Sequence, residues 1–493
     1  MSDPRAAFTG RSRRLTPKRS VKFADLMSQA VITVGGIGTI VAVGTVALFL
    51  FAVVLPLFRG ATVEADPAIA ITRAANAPTV AAVSTDEYLS TGWTLDADGR
   101  LEVFRGDSGT RIDERLVFGD PAPTAISARP RDGLVLAGFP DGSVAVLNIR
   151  FETAFIDNRA LPESLLSLPH GEMTLFEGTM VERTVEGQFR RQQLVVEVLG
   201  EPLSLGSGPV LAVDHAGTAE SLHGTAMLAD PDAPGGVRLV SFSGELEEDM
   251  FSGESTLRLT GPRALNRPAD APASEPPTLI ATGADGVNRY VIWPSGAIAR
   301  YARRQSEPAE LVEAPGPEIT AAAMLLGGRT LVTGRADGSV EGWFPARRDD
   351  AVAADGFALQ RARAIAGSGS PVRSLAMASR NRMFVTGHAD GGIGVYYMVG
   401  GERLAGFQLD SGESVDAVAV SPKEDAILAA TATGIARLEF EPMYPEVSAA
   451  TLFLPLWYEG YPESDFVWQS SAASDASEPK LSLIPLVFGT LKA

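Results

Sequence analysis

Two hydrophobic patterns divide the chain, and each predicts a different kind of element. From Leu26 to Phe58 no residue carries a charge. The run is apolar all round, and about 20 such residues are enough to span a bilayer. It predicts one transmembrane helix over 26–58. The stretch is longer than the apolar region of a secretory signal, and Leu55-Pro-Leu-Phe-Arg-Gly offers no small-x-small cleavage site. The segment therefore reads as a retained anchor. Gly35, Gly36, Gly38 and Gly44 occupy its first half, where small residues let another helix approach, although glycine is also simply common in such helices.

Beyond residue 60 the pattern changes to short apolar runs between turn residues, and it repeats. Residues 123–147, 319–343, 372–396 and 415–438 each give a short strand, a turn, a buried apolar strand, an Asp-Gly-type turn and a further strand. Glycine and aspartate suit these turns because a tight hairpin needs positive φ. With Asp98-Gly99, Ala216-Gly217 and Ser295-Gly296, the turns fall near 98, 141, 217, 295, 337, 390 and 434. Four gaps are 42–53 residues and two are near 77; propeller blades repeat every 40–50 or so. The wide gaps predict extended blades or insertions, with Leu175–Leu199 as one long hairpin and Ala264–Thr278 as a Pro/Ala-rich loop. A single blade cannot bury both faces, and radial stacking lets blades cover one another. The fold class is therefore all-β, a propeller of roughly seven blades (six or eight as alternatives) over 60–445. The repeats resemble WD40-type blades, as in Thr333–Trp343, without their regular Gly-His and Trp-Asp pairs.

Charge adds topology. Residues 1–58 hold seven basic residues against Asp3 and Asp25, a balance of +5, so the rest carries −23 of the total −18. The basic residues all precede the apolar run, which puts a 1–25 tail in the cytoplasm and the propeller outside the membrane. A body this acidic repels nucleic acid. The chain has no cysteine, which excludes disulfides, thiolate metal sites and thiol nucleophiles.

Candidate chemistry is sparse. His170, His215, His223 and His388 are the only histidines. His215 and His223, with Asp214, allow a metal site on spacing alone, but turn or surface positions explain them as well. His388 shares a repeat position with Arg335 and Phe139 and reads as a strand-end residue. Asp98, Asp141, Asp285, Asp337 and Asp390 are explained by turns, and Glu245–Asp249 by a solvated hairpin tip. There is no phosphate-binding Gly-x-x-x-x-Gly-Lys loop and no Gly-x-Ser-x-Gly elbow. No catalytic, cofactor-binding or metal residue is assigned, and the chain is not expected to be an enzyme.

The last residues are different. Trp457, Tyr458, Tyr461, Phe466 and Trp468 crowd into twelve positions, followed by the apolar helical pattern of Lys480–Ala493. Such rings favour a membrane–water interface; the other reading is a cap packed beneath the propeller. The region 453–493 resembles the entry into the membrane core of a phosphate-type ABC-transporter permease, in the variant with a large extracytoplasmic domain. The resemblance implies that 446–493 is an interfacial segment opening such a core, and that the chain is the part before it. It also implies a bacterial inner-membrane location with a periplasmic propeller. The implied partners are permease and ATPase subunits and a periplasmic substrate-binding protein. A membrane-anchored envelope scaffold or assembly factor, or a propeller enzyme, stands as the alternative. Carboxylates or histidines clustered at the central funnel would favour the enzyme; a bare funnel would favour a scaffold or transporter domain.

Overall fold

The computed structural model describes residues 18–492, apart from 75–76, 158, 160, 249–254, 274 and 471–477. The chain divides into two compact units, 1–59 and 60–493.

The first unit is one helix, α1, over Arg19–Val54, continued by a 3-10 turn at Leu55–Phe58. It begins seven residues before the predicted Leu26, because Arg19, Lys22 and Asp25 are compatible with helix even though they are not apolar. None of its side chains is buried. Thr39 and Thr45 donate their hydroxyls to the carbonyls of Gly35 and Val41, 2.9 and 2.8 Å away. These two threonines thus satisfy their hydroxyls within the helix, without water.

The second unit is a seven-bladed β-propeller. Blade one spans 80–116, blade two 125–204, blade three 210–265, blade four 279–313, blade five 319–365, blade six 372–408 and blade seven 417–441. All but blade two are four-stranded and antiparallel. Blade seven takes its outer strand from the other end of the unit: Thr62–Thr72 pairs with Gly434–Glu441, with Thr62 opposite Glu441 and Thr72 opposite Gly434. This closes the ring, because the first strand of the unit completes the last blade. It also brings both ends of the propeller chain to the same end of the same blade.

The core lies between blades. Leu95 and Val135 share one apolar cluster, Val144 and Val213 the next, and so on through Leu239 with Val291, Tyr290 with Leu331, Val332 with Phe384, and Val385 with Ile427. Val83 and Leu428 complete the circle from blade seven to blade one. The second strands, such as Leu134–Gly138 and Ala426–Ala430, are buried on both faces, which explains their unbroken apolar runs.

Blade two departs from the predicted long hairpin. Its third and fourth strands, Ser143–Ile156 and Phe189–Ser204, form the long hairpin, and Met173–Phe176 and Thr179–Arg183 extend the sheet to six strands. The insertion has its own small core of Leu161, Leu165, Val181 and Phe189, beneath the short helix α2 at Glu163–Leu166. Leu175–Leu199 is therefore parts of three strands. The loop at 266–278 follows blade three as expected.

Candidate functional site

Five of the predicted turns are one repeated structure joining the second and third strands of a blade. The amides of Gly99, Gly142, Gly296, Gly338 and Gly391 bond back to the carbonyls of Asp96, Phe139, Trp293, Arg335 and His388. All five glycines have φ between 79° and 102°. The aspartates do not take positive φ. Instead Asp98, Asp141, Asp337 and Asp390 each accept the amide two residues on, at 2.9–3.1 Å. Asp285 lies elsewhere, in the loop between the first and second strands of blade four, with φ 52°. Two predicted turns are corrected. Gly217 ends the first strand of blade three, whose corresponding connection is Asp230–Gly236 with Pro234-Gly235-Gly236. Gly434 begins a strand, and Thr431 closes its turn by accepting the Gly434 amide on Oγ1.

The residue before each turn is buried. Phe139, Arg335 and His388 are at most 8% exposed. Arg335 is paired with Glu341 at 2.8 Å. His388 is held at both ring nitrogens, by the Ser370 carbonyl at 3.0 Å and Thr386 Oγ1 at 2.8 Å.

The first strands of successive blades touch one another around the ring and form the wall of the central channel. On these seven strands the only charged side chains are Arg129, Asp214 and Arg373. Arg129 and Asp214 pair at 3.0 Å, and Asp214 also takes the Thr282 amide. Alanines at 321–323, 417 and 419 occupy much of the remainder. His215 is fully buried and contacts Ser127 Oγ at 3.2 Å. Burial, aided by Arg129, pushes its pKa far down, so it is neutral. His170 is exposed, held by the Val185 carbonyl at 2.9 Å. His223 is half-buried on the second strand of blade three. Its spacing from His215 does not bring a metal site together: among the described residues no group of three or more His, Asp or Glu is placed to hold an ion. Glu245, Glu247 and Glu248 are exposed on a strand, and Asp249 lies outside the described residues.

The most developed surface is at the opposite end from the Asp-Gly turns, where the segment after Glu441 folds back under blades five and six. Helix α3, Ala449–Phe453, starts with a reciprocal cap between Ser448 and Thr451. Trp457 meets Phe344 edge-on at 5.6 Å, and Tyr458 is 2% exposed. Arg382 anchors the segment. It gives 2.7 and 2.8 Å bonds to the two Glu459 oxygens and a 3.1 Å contact to Glu478. Thr330 also donates to Glu459. The aromatic cluster therefore splits: Trp457 and Tyr458 cap the propeller, while Phe466 and Trp468 stay exposed, as do Phe453 and Leu454. Helix α4, Ile484–Lys492, exposes Leu486, Val487, Phe488 and Leu491. A cleft of about 440 Å³ opens at this end, lined by Arg380, Lys423, Glu424, Tyr444 and Glu478 among others.

No protein-family model and no curated protein matches the sequence. Among solved structures, the chain is similar to the Myceliophteria thermophila Cps50 (Swd1) β-propeller domain, at 12% identity and a TM-score of 0.48, over 77% of this chain and 99% of that one. The seven-bladed assignment rests on the strand pairing described above.

Proposed function

We propose that the protein is a membrane-anchored propeller scaffold that binds other proteins of the bacterial envelope, with its N-terminus in the cytoplasm and the propeller outside. The carrying observation is α1: a 36-residue helix with no buried side chain and no charge after Asp25, directly ahead of a propeller. A helix apolar on every side needs lipid or protein around it. The nearly uncharged channel wall supports a binding role over catalysis, since acid/base or metal chemistry would need titratable groups there.

The cysteine-free sequence makes a clean topology test. Val352 is 98% exposed. In intact cells or spheroplasts, Val352→Cys should react with a membrane-impermeant maleimide, whereas Lys22→Cys should react only after permeabilisation. The reverse order would overturn the orientation.

A finer reading is that this scaffold belongs to an ABC importer permease for phosphate. It is favoured by the apolar, exposed α4 and by the adjacent departure of both ends of the propeller from blade seven. On this reading Trp468 meets lipid at the headgroup level. Brominated lipids should quench part of the tryptophan emission of the full chain in vesicles, and Trp468→Phe should remove that part; equal quenching in both would count against it. The permease assignment itself predicts that excising the propeller from its gene lowers phosphate uptake under phosphate limitation. Unchanged uptake would end that reading and leave the scaffold standing.

A further inference from the structure

Among the described residues, one buried arginine breaks the rule that the other buried arginines obey. Arg73, Arg300, Arg335 and Arg382 are all at most 6% exposed, and each has a carboxylate partner: Asp96, Glu310 with Asp355, Glu341, and Glu459 with Glu478. Such pairing is the usual condition for keeping a guanidinium out of water. Arg289, at the start of the second strand of blade four, is 8% exposed. Among the described residues it has no carboxylate within 4 Å. Its one acceptor is the Gly286 carbonyl, 3.0 Å from Nη1, and its Nε is buried without a partner.

The surroundings add positive charge instead of removing it. A Cβ placed on Gly286 would lie 2.8 Å from Arg289 Nη2 and 3.0 Å from His223 Cγ, so the two side chains converge on that glycine from neighbouring blades. Arg303 follows Ala302, which pairs with Asn288 next to Arg289. Arg263, on the outer strand of blade three, donates to the Arg304 carbonyl at 2.8 Å. Arg263 and Arg303 are exposed. Neither has an ion pair among the described residues, and both weigh on Arg289: burial, then Arg263, then Arg303 push its pKa down. Asp285 and Glu245 act on His223 but are not within 4 Å of any of these guanidiniums. The loops on both sides hold non-glycine residues at positive φ, Asp285 at 52° and Arg304 at 60°. Strain of this kind is kept at sites whose surroundings impose it. In a body of net charge −23, three unpaired guanidiniums at one seam are a concentrated exception.

We infer that the seam between blades three and four is an oxyanion-binding site, in which Arg289 is the fixed floor and Arg263, Arg303 and His223 supply the rim. Its ligand is a small oxyanion, either tetrahedral like phosphate or sulfate or planar like a carboxylate. The bound anion supplies the acceptor that Arg289 Nε lacks and relieves the repulsion among the three arginines.

The test uses the purified full chain in detergent micelles, at constant ionic strength in a chloride buffer, titrated separately with inorganic phosphate, sulfate and acetate while thermal stability is read. At least one anion should stabilise saturably. Arg289→Gln should weaken that response about tenfold or more, the loss expected when a charge-assisted bond is removed. Arg258→Gln, an exposed control on the outer strand of blade three, should leave it unchanged. A response to phosphate and sulfate assigns a tetrahedral ligand, and one to acetate alone a carboxylate. If Arg289→Gln does not fold, the exposed pair Arg263→Gln with Arg303→Gln replaces it and should also weaken binding. No saturable response to any of the three anions, or an undiminished response in the folded variants, overturns the site.

Discussion

Replacing Arg382 by methionine will free the segment after residue 441 from the base of the propeller. The Arg382 side chain is 5% exposed, and those of Glu459 and Glu478 are 11% and 7% exposed. Removing the cation leaves two carboxylates in a low-dielectric seam, and breaking a buried pair on one side costs about 3–5 kcal/mol. The carboxylates can recover water if the segment lifts away, so the loss should appear first as local opening. Hydrogen exchange should accelerate at the amides of 457–459 and 480–483, with blades one to three unchanged and the melting temperature lowered. Arg382→Lys should recover only part, because a point charge cannot hold Glu459 in the two-oxygen grip of a guanidinium. Unaltered protection at 457–459 in Arg382→Met would show that aromatic packing alone, Trp457 on Phe344 and buried Tyr458, holds the segment.

This anchor was not legible in the sequence, and the reason is distance along the chain. Arg382 and Glu459 are 77 residues apart. Arg382 occupies a repeat position, and nothing local separates it from Arg329, which holds the corresponding place in blade five. The aromatic cluster was legible as a cluster, but its division into a buried and an exposed half was not. Trp457 and Tyr458 are adjacent to Glu459, whose partner Arg382 lies just before a blade-six strand. Arg289 was hidden for the opposite reason. Its peculiarity is a missing partner, which no spacing rule reveals.

The propeller was legible because two local signals coincide at each blade: an apolar strand buried on both faces and a glycine turn that ends it. Where one signal fails, so did the placement. In blade three the connection between second and third strands is the longer Asp230–Gly236, so the eye settles on Gly217, which has positive φ at the end of a different strand. In blade seven a threonine hydroxyl does what Asp-Gly does elsewhere. The two extra strands of blade two are four and five residues long and carry no full alternation, so they merged with their neighbour into one hairpin. The ring-closing strand Thr62–Thr72 was included in the propeller by position, but its partner, some 370 residues away, is set by closure and not by any local pattern.

Gly338→Val should damage blade five through two separable effects. Gly338 has φ 79°, a region that costs a β-branched residue roughly 1–3 kcal/mol. It is also crowded: a Cβ there would lie 2.6 Å from the Ser370 carbonyl oxygen and 2.8 Å from the Ser368 amide, and would collide with Ser368 Oγ. These atoms belong to the connection between blades five and six, so accommodating the side chain means moving the chain that positions His388. Gly356 separates the two effects. Its φ is 75°, and nothing lies within 4 Å of its would-be Cβ. Gly356→Val should therefore show the strain alone, and Gly338→Val clearly more, as denaturation midpoints of the full chain in detergent. Equal losses would mean that the 368–370 connection yields freely and that backbone conformation is the whole cost. A midpoint unchanged by Gly338→Val would contradict the turn geometry itself, because it is the left-handed φ at Gly338 that brings the Ser339 carbonyl back to the Arg335 amide, 3.0 Å away.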